Sequence, residues 1–447
     1  MIHFPAFEWE ADVVVCGAGT AGAVAALAAA DAGAKVMVVE QFGAPGGSST
    51  LGMVEPLMST SVPGLPRCSY LAEEIEKRAH EMGSSTGTPY AFFDPVSLSL
   101  VLESMLHERG VEMLYHTMIT DVQMKDGKIE ALVVSNKSGS GLVKAKKKYI
   151  DATGDADVCF LAGLETLHGD EENHKNQPCS LRYMVGGVDL DQFWAFHQKY
   201  YAPDKPLQPR PEHFSGACTL NGGKVFPMDS VFAEAVEKGD LTAADARYWQ
   251  FFTVPGRADG LAFNCPEFFG IDDITDARML SYVQVEGKMR ILRYLKFYKK
   301  YFPGFENAYL SSVANLVGVR ESRRAVTEYI LTMEDALSWA KFDDAIAQTN
   351  YGVDVHGMKL RTEEIKGKDA NRPYYEIPFR ALVVKGVSNL LVAGRNIGSE
   401  FVAQSSLRII PTCRALGEAA GIAAALDLSD GKAVREEMIR KGAAFHP

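Results

Sequence analysis

Ala11 to Cys16 (ADVVVC) is a short β-branched run, the pattern of a strand buried on both faces. Gly17 to Gly22 interrupt it as a turn. Ala21 to Ala32 then predict a helix of small residues ended by Gly33, and Lys35 to Val39 (KVMVV) a second, parallel strand closed by Glu40. Together these make one βαβ unit. After a glycine-rich loop (Gly43 to Gly52), helices are expected near Tyr70 to Met82 and over Asp94 to Arg109, the second stopped by Gly110. The segment VEMLYHTMITDVQMKDGKIEALVVSN reads as strands joined through Lys125-Asp126-Gly127. Tyr149 to Ala152 is expected as a strand running into Thr153-Gly154-Asp155.

From about Gly169 to Arg380 the texture changes to strands, proline-containing loops and long helices, the latter expected at Asp276 to Tyr301 and Arg320 to Ala340. Strand–turn–helix grammar then returns: Asn389 to Ala393, the turn Gly394 to Gly398, and a helix from about Pro411 to Leu426. The expected fold class is α/β. A discontinuous nucleotide-binding domain (1–168 and 381–447) would surround an inserted α+β substrate or cap domain (169–380).

Composition narrows the function. At 447 residues the chain exceeds what one core usually supports, in line with two connected domains. The net charge of −11 argues against nucleic acid and anionic lipid as partners. The basic runs Lys144 to Lys148 and Lys296, Lys299, Lys300 read as solvated faces. Seven cysteines are scattered with no C-x-x-C pair, which fits a reducing compartment. The N-terminus reaches a strand without a basic n-region and does not read as a signal peptide. Ala21 to Ala30, the longest apolar run, is too short to span a bilayer. The expectation is a cytoplasmic protein without membrane insertion, acting on a small molecule; a homo-oligomer is compatible with the sequence.

Gly17, Gly19 and Gly22 form G-x-G-x-x-G, with Ala18, Thr20 and Ala21 between them, and have a strand before and a helix after. Gly17 permits the tight turn, Gly19 lets a diphosphate approach the backbone, and Gly22 allows close helix packing. The diphosphate would sit on free N–H groups at the helix N-terminus. Glu40, 18 residues after Gly22 and followed by Gln41, suits a ribose with both hydroxyls free and disfavours a 2′-phosphate. The unit alone does not choose between FAD and NAD.

Further segments do choose. They are PGGSSTLGMV, YIDATGDADV, GVRESRRAV, NYGVDVHG and the block YEIPFRALVVKGVSNLLVAGRNIGSEFVAQSSLRIIPTCRALGEAAGIAAAL. With the βαβ unit, they make the chain resemble the FAD-dependent oxidoreductases with a glutathione-reductase-type FAD domain, closest to a broad bacterial group of that description, over nearly its whole length. The resemblance implies FAD as cofactor. It implies that Gly46, Gly47, Ser48, Ser49 and Thr50 line the pyrophosphate and flavin edge, and that Ile119 meets the adenine through its backbone. Thr153, Gly154 and Asp155 would close over the ADP half, and Gly394, Arg395 and Asn396 would meet the ribityl and phosphate region. Many relatives carry Asp where Arg395 stands. The helix entered near Pro411 would aim its N-terminus at the flavin pyrimidine, where negative charge collects on reduction. Gly417, Ala420 and Gly421 would keep that helix thin.

A second G-x-G-x-x-G after a strand, a Gly-x-Ser-x-Gly elbow and a His-Glu-x-x-His helix are all missing from the sequence, and no metal site is expected. Arg320, Glu321, Ser322, Arg323 and Arg324 are expected at a helix start. They hold either an anionic substrate or flavin, or an ion-pair cluster with Glu321 as partner. Asp354 and His356 alternate on a strand-like segment and would point the same way. His356 is either a structural histidine or the group that takes a hydroxyl proton as hydride leaves the adjacent carbon. Arg408, within SSLRIIP, is placed beside the flavin, with Tyr375, Arg380 and Gln404 as further candidates for the same cavity. Cys179, His168 and Arg182 read as core or surface. The expected function is FAD-dependent hydride transfer between a small organic substrate and flavin N5, with an unidentified second donor or acceptor. A flavin-dependent reductase of a C=C bond and a non-redox FAD protein, such as an RNA-modifying methylene carrier, stay open.

Overall fold

Strand β1 (Glu8–Cys16) begins three residues before the predicted Ala11 and runs through the ADVVVC segment. Helix α1 (Thr20–Asp31) and strand β2 (Val36–Val39) follow, with Cys16 beside Val39 in parallel register. The computed structural model describes residues 4–58, 68–86, 91–220, 225–356 and 371–446; Gly357, the last residue of NYGVDVHG, lies outside them. Ser69 caps α2 (Tyr70–Glu81), and Asp94 caps α3 (Pro95–Glu108) by accepting from the Val96 and Ser97 amides. Strands β3 (Glu112–Leu114), β4 (Met118–Lys125), β5 (Lys128–Asn136) and β6 (Gly139–Asp151) complete the main sheet, ordered β3-β2-β1-β6-β5-β4. Strand Leu390–Val392 joins it alongside β6, in parallel. The parallel strands therefore bring Leu114, Val39, Cys16, Asp151 and Val392 to one edge, where ligands of open α/β sheets bind.

A second sheet is antiparallel. Strands β7 (Tyr183–Gly186), β8 (Ser215–Cys218), β9 (Trp249–Thr253) and β10 (Leu261–Phe263), helix α4 (Ala277–Tyr301) and strand β11 (Tyr309–Val313) enclose their own apolar cluster. Tyr298 of α4 receives a hydrogen bond from the Trp249 indole at 2.7 Å, which satisfies a buried polar pair inside that aromatic core.

The helix expected over Arg320–Ala340 does not form. Arg323–Ala325 (β12) is instead a strand paired with Thr166–His168, and helix returns only at α5 (Met333–Ser338), behind a reciprocal Thr332–Asp335 capping box. Extended backbone throws neighbouring arginines to opposite sides. Arg323 reaches Asp157 and the Asp155 carbonyl, while Arg324 pairs with Glu321 and donates to the Ser399 and Gly169 carbonyls. One helix face does not offer those separate buried partners. Tyr351 to His356 likewise forms no strand, although Asp354 and His356 do meet.

Ala325, Leu331, Ala336, Ile346, Ala347, Tyr375, Ile377 and Phe379 belong to the same apolar cluster as β1 and α1. So does α6 (Ile410–Leu426), which crosses α1 closely. A Cβ on Gly417 would lie 2.2 Å from the Ala21 carbonyl oxygen, and one on Gly421 equally near that of Ala25. Among the described residues, no single helix is long and apolar enough to cross a membrane.

Candidate functional site

A cavity of about 1300 Å³ opens at the carboxyl edge of the main sheet and runs to the second sheet. Its first end is built by the glycine turn. Gly17 takes φ +90°, and a Cβ on Gly22 would lie 1.9 Å from the Gly17 carbonyl oxygen, so the turn exists only with glycine at both positions. The Gly46 amide donates to the Ala18 carbonyl at 2.7 Å, laying the second glycine loop against the first. Glu40 ties the turn to the strand edge: Oε2 accepts from the Ala18 amide at 2.6 Å and Oε1 from the Phe42 amide at 2.8 Å. Burial pushes its carboxyl up, and these two N–H groups oppose the rise. Gly17, Gly19, Thr20, Ala21, Glu40, Gln41, Gly47, Ser48 and Ile119 line this part.

The middle is organised by Asp151, the last residue of β6. Its Oδ1 accepts from the Thr153 hydroxyl at 2.7 Å, and its Oδ2 accepts from the Val158 amide at 3.0 Å, bending the A-T-G-D turn over the cavity. Thr153, Gly154, Asp155, Gly394 and Arg395 line it there. The Arg395 guanidinium binds the Asp155 carboxylate at 2.7 Å and the Ser322 hydroxyl at 2.9 Å, which explains how arginine is accommodated after Gly394. The first residues of α6, including Ile410 and Cys413, form an adjoining wall.

The far end gathers charge. Arg320 donates through Nη1 to the Pro178 carbonyl at 2.7 Å and pairs through Nη2 with Glu267 at 2.8 Å. Glu267 also faces His356, its Oε1 lying 2.9 Å from Nδ1. Burial would raise the Glu267 carboxyl, but Arg320 and His356 hold it below the usual carboxylate range. Asp354 is set 3.5 Å from His356 Nε2, accepts from the Tyr351 hydroxyl at 3.1 Å, and binds Arg408 Nη2 at 3.3 Å. Tyr248, Gln250 and Asn264 form a hydrogen-bonded wall beside the imidazole. Arg320, His356 and Arg408, which the sequence nominated, therefore meet in one place.

Other nominees lie behind the surface. Ser49 and Thr50 turn back to the Gly46 and Pro45 carbonyls, and Asn396 donates to the Asp151 carbonyl. Ala18, Gly22, Gly46, Gly417 and Ala420 shape the backbone without side-chain access to the cavity. Tyr375, Arg380 and Gln404 do not line it: Tyr375 binds Ser406, Arg380 pairs with Asp344 outside, and Gln404 holds the Arg320 carbonyl at 2.8 Å. Conversely, Arg182, Tyr248 and Glu267 face the cavity and were not nominated. The signal for Arg182 was a charge inside the apolar run LRYMV; Glu267 has no such mark.

The fold and this cavity define an α/β nucleotide-binding protein. The chain belongs to the FAD dependent oxidoreductase family, whose family model matches residues 12–441, and it is a flavoenzyme with FAD as cofactor. It is 33% identical to the thiamine thiazole synthases of Methanococcus aeolicus, over 34% of this chain, and of Aeropyrum pernix, over 32%. The matches span only 59% and 55% of those relatives' own lengths. Among solved structures, a geranylgeranyl bacteriochlorophyll reductase-like protein from Thermoplasma acidophilum is 12% identical (TM-score 0.45), covering 97% of this chain and 83% of that one. The p-nitrophenol 4-monooxygenase of Pseudomonas putida is 13% identical (TM-score 0.48), covering 97% and 84%.

Proposed function

We propose that the protein oxidises a small organic substrate by hydride transfer to FAD held along the cavity. The observation that carries this reading is the continuity of that cavity from the Glu40 carboxylate to the His356–Glu267–Arg320–Arg408 cluster. The first end fits a dinucleotide: a Cβ on Gly47 would come within 2.8 Å of the Gly19 Cα, so the two glycine loops form a floor open to backbone approach. Glu40 holds the adenosine ribose, Ile119 borders the adenine, and the turn of Gly17 to Gly22 with Gly47 and Ser48 receives the diphosphate on backbone N–H groups. Thr153 to Asp155 close over the ADP half, Gly394 and Arg395 flank the ribityl chain, and the α6 N-terminus carries the positive end of a helix dipole. The domain reading is the glutathione-reductase-type FAD fold, with the second sheet as the inserted substrate side.

When bound, FAD supplies the acceptor of two electrons and one proton equivalent as hydride. His356 handles the remaining proton. In this reading Nδ1, 2.9 Å from Glu267 Oε1, carries the resident proton, and Nε2, 3.5 Å from Asp354 Oδ1, takes the second one with that carboxylate beside it. As a carbinol C–H bond breaks with its electron pair leaving, the O–H proton passes to Nε2 and C=O forms. Glu267 steadies the imidazolium; Tyr248 packs edge-on against the ring at 5.2 Å and limits its rotation. A separate acceptor then restores the oxidised cofactor. Anaerobic mixing of the FAD-loaded protein with a panel of alcohols and hydroxy acids tests this. Bleaching of flavin absorbance by a donor is expected; reduction by NADH alone, with no donor active, would overturn it.

A further inference from the structure

Arg182, Arg320 and Arg408 stand at the far end of the cavity, with Arg247 also on its lining, and the carboxylates facing them are fewer. Glu267 is committed to Arg320 and His356, and Asp354 shares itself among Tyr351, His356 and one nitrogen of Arg408. Among the described residues, Arg182 has no comparable partner. It makes one long hydrogen bond, Nη1 to the Met53 carbonyl at 3.4 Å, and its buried Nε meets no acceptor among the described residues. Arg408 bonds through Nη2 to the Asp354 carbonyl at 3.1 Å and to its carboxylate, and its buried Nε is likewise unpartnered. Glu55 is the carboxyl nearest in influence to Arg182, but burial drives it strongly toward the neutral form, so it does not cancel that charge. Burial and the neighbouring Arg320 charge pull the Arg182 guanidinium down to about 10, the mark of a cation held without its counter-ion.

Buried polar groups are rarely left unpaired, and an exception inside a cavity points to a ligand that completes them. The guanidinium fork, planar with five donors, matches a carboxylate through two parallel hydrogen bonds. We propose that this end of the cavity is a carboxylate subsite, and that the substrate is a small organic acid. Its carboxylate is received by the guanidinium groups of Arg182 and Arg408, both on the cavity lining, with the Arg320 charge neighbouring each. The inference rests on the hydride-transfer reading, and deepens it: the anchor sits beside His356, so the acid's reacting carbon lies near its carboxylate. Arg182 belongs to this anchor and Gln404 is a positioning residue, holding the Arg320 backbone.

The test titrates the FAD-loaded protein with benzoate, succinate and pyruvate, and with benzamide as the uncharged match of benzoate, by calorimetry and flavin difference spectra. At least one carboxylate should bind saturably and benzamide should not. Arg182→Gln should weaken that binding roughly tenfold to a hundredfold, the worth of a charge-assisted pair. Arg182→Lys should recover part of it, and both variants should retain FAD. Equal binding of benzoate and benzamide, no saturable binding by any carboxylate, or unchanged affinity in Arg182→Gln would overturn the subsite. A shift of flavin reduction potential in Arg182→Gln with carboxylate affinity intact would also overturn it, assigning the charge to the cofactor instead. The comparison of benzoate with benzamide uses the unaltered protein and stands even where a variant does not fold. Failure of the hydride-transfer reading is distinct: carboxylates would bind while no donor bleached the flavin.

Discussion

Glu40→Gln swaps one carboxylate oxygen for an amide group and removes the charge while keeping the side chain's shape. Both oxygens of Glu40 already accept a backbone N–H, from Ala18 at 2.6 Å and from Phe42 at 2.8 Å. A glutamine has one acceptor oxygen, so in either orientation its NH₂ confronts one of those N–H groups. One buried hydrogen bond is lost and its donor stranded, which costs the fold about 1–3 kcal/mol. The second loss falls on the cofactor. A ribose hydroxyl that donates to a carboxylate gains about 1.5–3 kcal/mol, and losing one such bond weakens FAD binding by roughly tenfold to 150-fold. Urea denaturation of the apo-protein reads the first effect, and fluorescence titration of apo-protein with FAD reads the second. An FAD affinity within about twofold of the parent would refute the placement of the ribose at Glu40, because a charge-assisted bond does not vanish at so small a difference.

Three further outcomes follow from the same geometry. Glu418 of α6 accepts from the Ser69 hydroxyl, and burial pushes its carboxyl up to about 7, against an ordinary value of 4.5. Its protonated form is favoured by folding, so the stability it contributes is complete below about pH 4.5 and is lost as pH rises to about 7, by roughly 3 kcal/mol. Glu418→Gln should remove that loss, and denaturation midpoints that fall equally for both proteins from pH 5 to pH 8 would contradict it. Gly22→Ala places a methyl 1.9 Å from the Gly17 oxygen, and the purified variant should carry little or no FAD by absorbance. His356→Gln should slow flavin reduction about 10²- to 10⁴-fold while leaving FAD content unchanged, and stopped-flow traces at the parent rate would remove His356 from proton transfer.

Where short-range rules decide, the sequence was a good guide. The β-branched runs, the glycine turn and Ser69 or Asp94 before a helix act over a few residues, and β1, α1, β2, α2 and α3 lie where those signals put them. The small-residue pattern of α6 was equally readable, because Gly417 and Gly421 answer a crossing helix at backbone distance. The RESRRA segment misled because arginines at helical spacing satisfy a periodicity rule, yet these are held by partners far away in the chain, Asp157 and Gly169 among them. Glu267 was not legible, and Arg182, a charge inside an apolar run, was read as core or surface rather than as cavity lining. Arg182 reaches the cavity just before β7 and Glu267 from the short strand Glu267–Phe268, paired with Cys179–Ser180, and what singles them out is the company they keep in space: an unfilled donor for Arg182, an arginine–histidine pair for Glu267. His356 was nominated from its own motif, while its orienting partner came from a segment nearly ninety residues earlier (356 − 267 = 89).

The most direct test of the account is the anaerobic half-reaction of the purified, FAD-loaded protein with small hydroxy acids, followed at the flavin absorbance band. At least one acid should bleach the band stoichiometrically with formation of its keto acid, and the corresponding amide should not. A flavin left oxidised by every such donor, yet reduced promptly by NADH, would contradict it.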